Sequence, residues 1–205
     1  MNYSGHENKA HIIGRIVEPK SVSHETHGKT IYKTKIAVRR INYDVEDVIP
    51  VRFEDKENAI DLNAGDLVEI VGEFHSYNYR NGDKISISLF IFARDIKPIK
   101  DTENVEELNV LHLIGNICKK PTIRHTNSGK TICDAIVAIN RKYSKSDYLP
   151  CISWGKNAYF VSNLPVGTRV EIKGHMQSRD YIKILNDEPV HKIAYEVSIF
   201  SVTVI

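Results

Sequence analysis

The 205-residue sequence lacks several features that would each define a class of protein. It has no hydrophobic run near the ~18 apolar residues that a membrane-spanning helix needs, so no membrane partner is expected. Its first nine residues are polar and hold no apolar stretch of the signal-peptide kind, which favours an intracellular protein. No low-complexity segment interrupts the chain.

Cysteine is also scarce. Cys118, Cys133 and Cys151 are odd in number and form no Cys-x-x-Cys pair, so buried reduced thiols are expected and a disulfide or zinc site is not. His24 and His27 share a polar loop, but a closed metal site needs about four ligands. The P-loop pattern for binding nucleotide phosphates is absent. The sequence therefore predicts a protein that is not an enzyme and uses no metal or other cofactor.

What the chain does contain is an internal repeat. The run Ile12–Ile16 returns in similar form 101 residues later, the Gly-Lys-Thr-Ile run at 28–31 returns after the same interval, and Val68–Gly72 returns after 102 residues. This period is longer than the roughly 20–50 residues of solenoid units. It matches the length of a small domain, so both halves are expected to share one fold.

Each copy shows the same order of predicted elements: three strands, a short helix and two more strands. In the second copy Val170 and Ile172 alternate with polar residues, a pattern typical of a half-buried strand. This order is that of the OB-fold, a five-stranded Greek-key barrel that binds oligonucleotides or oligosaccharides, although another small β-barrel would share some of these signals. The sequence predicts an all-β chain of two tandem OB-fold barrels, each with a short helix between its third and fourth strands. Their bounds are 1–99 and 109–205, with an acidic linker at 100–108.

The two copies differ in charge. Residues 1–99 carry a net charge of −1, the linker −3 and residues 109–205 +6, which together give +2. A basic second barrel favours a polyanionic partner. The first copy places acidic residues where the second has cations and is expected to repel phosphate there: Asp44, Glu46, Asp47, Glu54, Asp55 and Glu57.

The second copy resembles the bacterial single-stranded DNA-binding protein (SSB) family. The matching segments are Asn109–Ile117, Lys120–Lys130, Ala138–Tyr143, Tyr148–Ala158 and Val170–Tyr181. The first copy matches more loosely, at Ile13–Arg15, Pro50, Val51, Lys56 and Val68–Gly72. The resemblance implies binding of single-stranded DNA without sequence preference in replication, recombination or repair, in the cytoplasm at the nucleoid. Because family members commonly present four barrels, it also implies a homodimer and possible replication-protein partners.

The resemblance also implies a set of binding residues. Aromatic rings stack on unpaired bases at about 1–3 kcal/mol per base without reading sequence, and cations neutralise phosphates. The second-copy candidates are Tyr143, Tyr148, Trp154 and Tyr181 with Arg124, Lys130, Arg141, Lys142, Lys145, Lys156, Arg179 and Lys183; the first-copy candidates are Arg39, Arg40, Tyr77 and Tyr79.

Further expectations concern the ligand, the partners and an alternative function. The second barrel is expected to grip DNA more strongly than the first, and RNA stays an alternative ligand because stacking does not sense the 2′-hydroxyl. The family's flexible acidic-tipped tail has no counterpart in residues 201–205, so any recruited partner is expected to dock elsewhere. The alternative function is an OB-fold adaptor, similar to primosomal proteins, that mainly contacts protein.

Overall fold

The computed structural model describes residues 7–40, 44–55, 60–82, 84–126, 128–141, 145–185 and 188–205. Within these ranges the chain is all-β apart from one short helix, as the sequence predicts. The elements are β1 (Glu7–Thr26), β2 (Lys29–Arg39), β3 (Glu46–Glu54), β4 (Leu67–Asn81), β5 (Lys84–Pro98), β6 (Leu108–Ile117), β7 (Thr122–His125), β8 (Thr131–Asn140), β9 (Ser146–Trp154), α1 (Gly155–Ser162), β10 (Arg169–Leu185) and β11 (Glu188–Val204).

Both copies close into five-stranded barrels with the same connectivity. In the first, β1 pairs with β2 and β4, β2 with β3, and β4 with β5, and a short parallel pairing of β3 with β5 completes the ring. In the second, β6, β8, β9, β11 and β10 repeat this ring, again closed by one parallel pairing. Side chains that alternate along each strand fill the interior, as Ile49, Val51 and Phe53 do on β3. The tandem OB-fold prediction is confirmed.

The copies differ in their first strand. β1 runs unbroken over 20 residues, whereas the equivalent segment of the second copy is divided into β6 and β7. Pro121 lies in this gap, but proline alone does not explain the break, because Pro19 lies within the unbroken β1. The polar sequence of residues 124–129 predicts a turn, but Arg124 and His125 still pair with β8, so the turn begins two residues later.

The structure contains the predicted helix of the second copy at nearly the predicted position. In the second copy the sequence predicts a helix over residues 156–163, and α1 begins and ends one residue earlier. In the first copy it predicts a helix near residues 57–62; residues 57–59 lie outside the described ranges, and residues 60–62 are not helical.

The two barrels share one continuous sheet. β1 pairs antiparallel with β6 over seven residue pairs, from Glu7 with Ile114 to Ile13 with Leu108. At the centre, Ala10 pairs with Leu111, its own equivalent in the 101-residue repeat. The barrels are therefore related by a pseudo-two-fold axis through this pair, and the joint resembles the isologous interface of a symmetric dimer.

A glycine in each first strand explains one of the repeated sequence anchors. A Cβ atom at Gly14 would lie 2.6 Å from the carbonyl oxygen of Ala37, and one at Gly115 would lie 2.5 Å from that of Ala138. Only glycine allows the first strand to approach the second this closely as it enters the barrel.

Candidate nucleic-acid interface

Two clusters of buried hydrogen bonds, here called clasps, join the two barrels. In the first clasp, Asp147 on β9 is fully buried and accepts the backbone N–H of Ser76 on β4 at 2.7 Å. His75 Nδ1 lies 2.8 Å and Arg141 Nε 3.1 Å from Asp147 Oδ2. The backbone N–H of Tyr148 donates to Ser76 Oγ at 2.9 Å. The first barrel thus fixes the backbone beside a candidate stacking residue of the second.

The second clasp repeats this arrangement across the pseudo-two-fold axis. Asp47 on β3 is buried and accepts the N–H of Ser178 on β10 at 2.6 Å and the Arg40 guanidinium at 2.9 and 2.7 Å. The backbone N–H of Val48 donates to Ser178 Oγ at 3.1 Å. Val48 occupies the position of Tyr148, so the first barrel offers no ring there.

The first barrel exposes less negative charge than the sequence predicts. Asp47 is paired inside the clasp, and Asp55, which is 7% exposed, lies 2.7 Å from Lys20. Two of the acidic residues predicted to repel phosphate are therefore buried and neutralised by cations. Glu57 lies outside the described residues.

The described aromatic candidates are all exposed. Tyr148 and Trp154, with 49% and 37% of their surface exposed, lie on the outward face of β9 because they alternate with the buried Leu149, Cys151 and Ser153. Tyr181 is on β10 and, like Tyr77 and Tyr79 on β4, follows a clasp serine on a hairpin that reaches the other barrel. Tyr143 and Lys142 lie outside the described residues.

The cationic candidates fall into two groups. The first group is paired with acidic residues: Arg40 and Arg141 are partly buried against the clasp aspartates. Arg124 is paired with Asp134, whose carboxylate raises the pKa of the Arg124 guanidinium. Arg179 lies 3.8 Å from Glu196 and 5.9 Å from the centroid of the Tyr181 ring. Arg39 is exposed, although its Nε lies 3.4 Å from Glu107, and the remaining candidates also have exposed side chains: Lys130, Lys145, Lys156 and Lys183.

A cleft of about 620 Å³ opens between the two barrels and is lined by four of the candidates, Arg40 of the second clasp among them. Arg39 reaches it from the first barrel, and Lys130 and Trp154 from the second. The remaining lining residues are Arg40, Asp47, Glu107, Leu108, Asn109, Val110, His175, Gln177, Ser198 and Phe200.

Sequence reasoning missed several aromatic residues near the seams. Phe200 lines the cleft and is 55% exposed. On the first barrel, the Arg52 guanidinium lies 4.0 Å from the Phe90 ring centroid, and burial lowers the pKa of this arginine. A repeat alignment at a fixed offset could not have flagged Phe200, because Phe200 is the extra residue of a β-bulge.

Comparison with known proteins bears on the second barrel and on the overall fold. Residues 108–204 match the model of the single-strand binding protein family. Over 81 residues, 36% of this chain, the sequence is 30% identical to single-stranded DNA-binding protein A of Bacillus subtilis and covers 47% of it. Over the same length, again 36% of this chain, it is 31% identical to a single-stranded DNA-binding protein of Halalkalibacterium halodurans and covers 48% of that protein. The chain thus spans about half the length of the curated relatives it matches.

Solved structures extend the likeness to both barrels. A deletion variant of the single-stranded DNA-binding protein of Thermus aquaticus superimposes with a TM-score of 0.80 at 16% identity, covering 98% of this chain and 95% of that one. The wild-type form gives a TM-score of 0.78 at 17% identity, with coverage of 98% and 94%. At this identity the match establishes the tandem fold.

In the described part of the chain, no helix is long and apolar enough to cross a membrane. The His, Cys, Asp and Glu side chains of the same residues form no group of three able to hold a metal ion. Residues 108–204, slightly less than half of the chain, are thus similar to the single-strand binding protein family.

Proposed function

We propose that the chain binds single-stranded DNA without sequence preference. The observation that carries this proposal is the outward face of β9, where Tyr148 and Trp154 are both exposed within the barrel that matches the family model. Six residues of strand separate the two rings by about 20 Å, so each is free to stack on a different base of an extended strand. Lys145 and Lys156 are exposed just beyond the two rings and supply charge for the phosphates.

The candidate residues have three roles: some stack on bases, some contact phosphates and some hold the clasps in place. Tyr148, Trp154 and Tyr181 stack on bases, and the exposed cations of the second barrel contact phosphates. Arg40 and Arg141 act mainly by bracing the clasps, because each lies against a buried aspartate. The first barrel extends the path with Arg39, Tyr77 and Tyr79.

Binding of this kind needs no chemical step by the protein. A protein that binds the single strand and leaves the duplex alone shifts the melting equilibrium by mass action. The chain thereby holds unwound DNA open and shields it in the cytoplasm during replication, recombination or repair. The family match favours this role over that of a protein adaptor.

The protein acts as a homodimer that presents four barrels. The outer face of the shared sheet carries Val71, which is 46% exposed, and the partly exposed Ile13 and Ile114. It also carries two pseudo-symmetric pairs, with His11 Nε2 2.7 Å from Glu69 and His112 Nε2 2.6 Å from Glu171. A face of this two-fold character is suited to meeting a second copy of itself. Analytical ultracentrifugation tests this, since twice the chain mass is expected and a monomer at micromolar concentration contradicts it.

The proposed function is tested by the anisotropy of a fluorescein-labelled thymidine 35-mer at increasing NaCl. Each neutralised phosphate contributes about −0.7 to the log–log salt slope, so five exposed cations give a slope near −3.5 and a loss of about 100-fold between 50 and 200 mM. A matched duplex is the control and is expected to bind far more weakly. No binding of the 35-mer at 50 mM salt, or equal binding of the duplex, contradicts the proposal.

A further inference from the structure

The two barrels meet at two equivalent places, here called seams, one on each side of the pseudo-two-fold axis. The side chains at the two seams differ. On the first-barrel side, Arg94 Nη2 lies 2.7 Å and His75 Nε2 2.9 Å from Glu73 Oε2. The Arg94 guanidinium also lies 4.9 Å from the centroid of Phe92. At this seam the large side chains are therefore joined by ion pairs and a cation–π contact.

The equivalent positions of the second barrel hold residues that leave the seam open. By strand register, Ser198 stands where the first barrel has Phe92, and Gln177 stands where it has His75. Trp154 takes the place of Glu54. The cleft of about 620 Å³ lies here. This volume is within the roughly 300–1,000 Å³ that small-ligand clefts span.

A β-bulge directs an aromatic side chain at this cleft. Gly174 pairs with Ile199 and Lys173 with Ser201, so Phe200 is the extra residue of the bulge. Bulges re-aim a side chain out of the regular strand alternation. Phe200 is 55% exposed and lines the same cleft as Trp154. Two exposed rings on one concave surface suit a flat apolar ligand better than they suit water.

Across the cleft, the Arg39 side chain is paired with a carboxylate of the acidic linker. The Glu107 carboxylate accepts the backbone N–H of Arg39 at 2.6 Å and Arg39 Nε at 3.4 Å, and it also accepts from Arg15. Its side chain is only 11% exposed. Arg39 can therefore contact a phosphate only in competition with Glu107, whereas Lys130 adds an exposed cation to the lining.

We propose that this cleft is a nucleobase site, at which a single strand passes from one barrel to the other. Phe200 and Trp154 contact the base, while Arg39 and Lys130 hold the flanking phosphates. The other seam, with its engaged Arg94, Glu73 and Phe92, does not take a base, so the path crosses the molecule on one side. This inference rests on the proposed function and adds Phe200 as a binding residue.

The test compares full-length Phe200→Ala, Phe200→Tyr and the control Phe160→Ala, which removes an exposed phenylalanine of α1 that does not line the cleft. Loss of one stacked base weakens binding of the thymidine 35-mer by about 5- to 150-fold in Phe200→Ala. Phe200→Tyr and Phe160→Ala stay within about threefold of the wild type. A 35-mer with abasic sites throughout, which keeps the phosphates, binds the wild type and Phe200→Ala equally. Photocrosslinking of an oligomer containing 5-iododeoxyuridine labels the peptide that holds Phe200.

Several results separate this inference from the proposed function. If the wild type retains the 35-mer and Phe200→Ala binds it as tightly as Phe160→Ala does, the base site is wrong and DNA binding stands. The same conclusion follows if Phe200→Ala loses only its self-association in sedimentation, because Phe200 then faces a second copy. If the wild type itself fails to bind the 35-mer, the proposed function falls and the base site falls with it.

Discussion

Replacing Asp147 by asparagine should loosen the junction between the barrels. This carboxylate is fully buried, accepts the Ser76 N–H at 2.7 Å, and lies 2.8 Å from His75 Nδ1 and 3.1 Å from Arg141 Nε. An asparagine side chain has nearly the same shape, but it carries no charge and replaces one acceptor oxygen with an NH₂ donor. Arg141 then loses the charge that balances it, and one donor of the clasp faces another donor.

The size of the effect follows from the burial. Breaking a buried ion pair by removing one partner costs about 3–5 kcal/mol. Since each kcal/mol lowers the Tm of a 150–250-residue protein by roughly 2–4 °C, the expected fall is about 6–20 °C. Differential scanning calorimetry measures it directly.

Two matched variants make the comparison specific. Asp47→Asn removes the equivalent carboxylate of the second clasp and is expected to lower the Tm in the same range. Asp44→Asn removes an exposed carboxylate of the first barrel and should shift the Tm by less than about 2 °C. A fall of less than about 2 °C for Asp147→Asn would refute the reasoning that the buried clasp holds the two barrels together.

Further predictions concern packing, charge and binding. Gly115→Ala should lose about 1–3 kcal/mol in urea unfolding, because the new Cβ would lie 2.5 Å from the Ala138 oxygen; a wild-type midpoint contradicts this. Tyr148→Ala should bind the thymidine 35-mer about 5- to 150-fold more weakly, whereas Tyr159→Ala, on α1, should bind normally. Glu107→Gln should bind it about two- to fivefold more tightly, because the amide no longer offsets the charge of Arg39; weaker binding by a variant of normal Tm counts against this. Glu196→Gln should raise the Tm more at pH 8 than at pH 5, since burial raises the pKa of Glu196. The stability that this group contributes is complete below its unfolded-state pKa and is lost as the pH rises through the folded-state pKa. An equal gain at both pH values would contradict the assignment.

Much of the fold could be read from local signals. The Gly14 and Gly115 anchors are repeated because each first strand passes close to the backbone of the second, a constraint that any sequence with this barrel must satisfy. Alternating apolar residues, as on β3 and β10, identified the strands because a two-residue period places them on one face.

The way in which the two barrels pair with each other could not be predicted from the sequence. The pairing of Ala10 with Leu111 depends on the pseudo-two-fold axis, and no local pattern records that axis. The clasp residues Asp47 and Ser178 are 131 positions apart, so Asp47 appeared as surface acid when it is a buried partner of Arg40. Burial of a charge is set by what packs over it, and here that is the other copy.

The candidate binding residues were accessible only in part, for the same reason. Exposure of Trp154 and Tyr148 followed from their place on a strand with apolar neighbours facing inward. Arg40 and Arg141 were selected with the other cations because their pairing with aspartate across a strand pair leaves no trace in composition. Phe200 was missed because its aim depends on a bulge, and the bulge adds one residue that regular alternation does not predict.

The most direct test of the account uses the fluorescence of Trp154, the one tryptophan of the chain. Titration of the full-length protein with a thymidine 35-mer in 20 mM NaCl should quench and saturate this emission, and 1 M NaCl should restore it as the phosphate contacts are screened. An emission spectrum that does not change at any concentration of the 35-mer, while anisotropy reports that the same oligomer is bound, would contradict the claim that β9 carries the stacking surface.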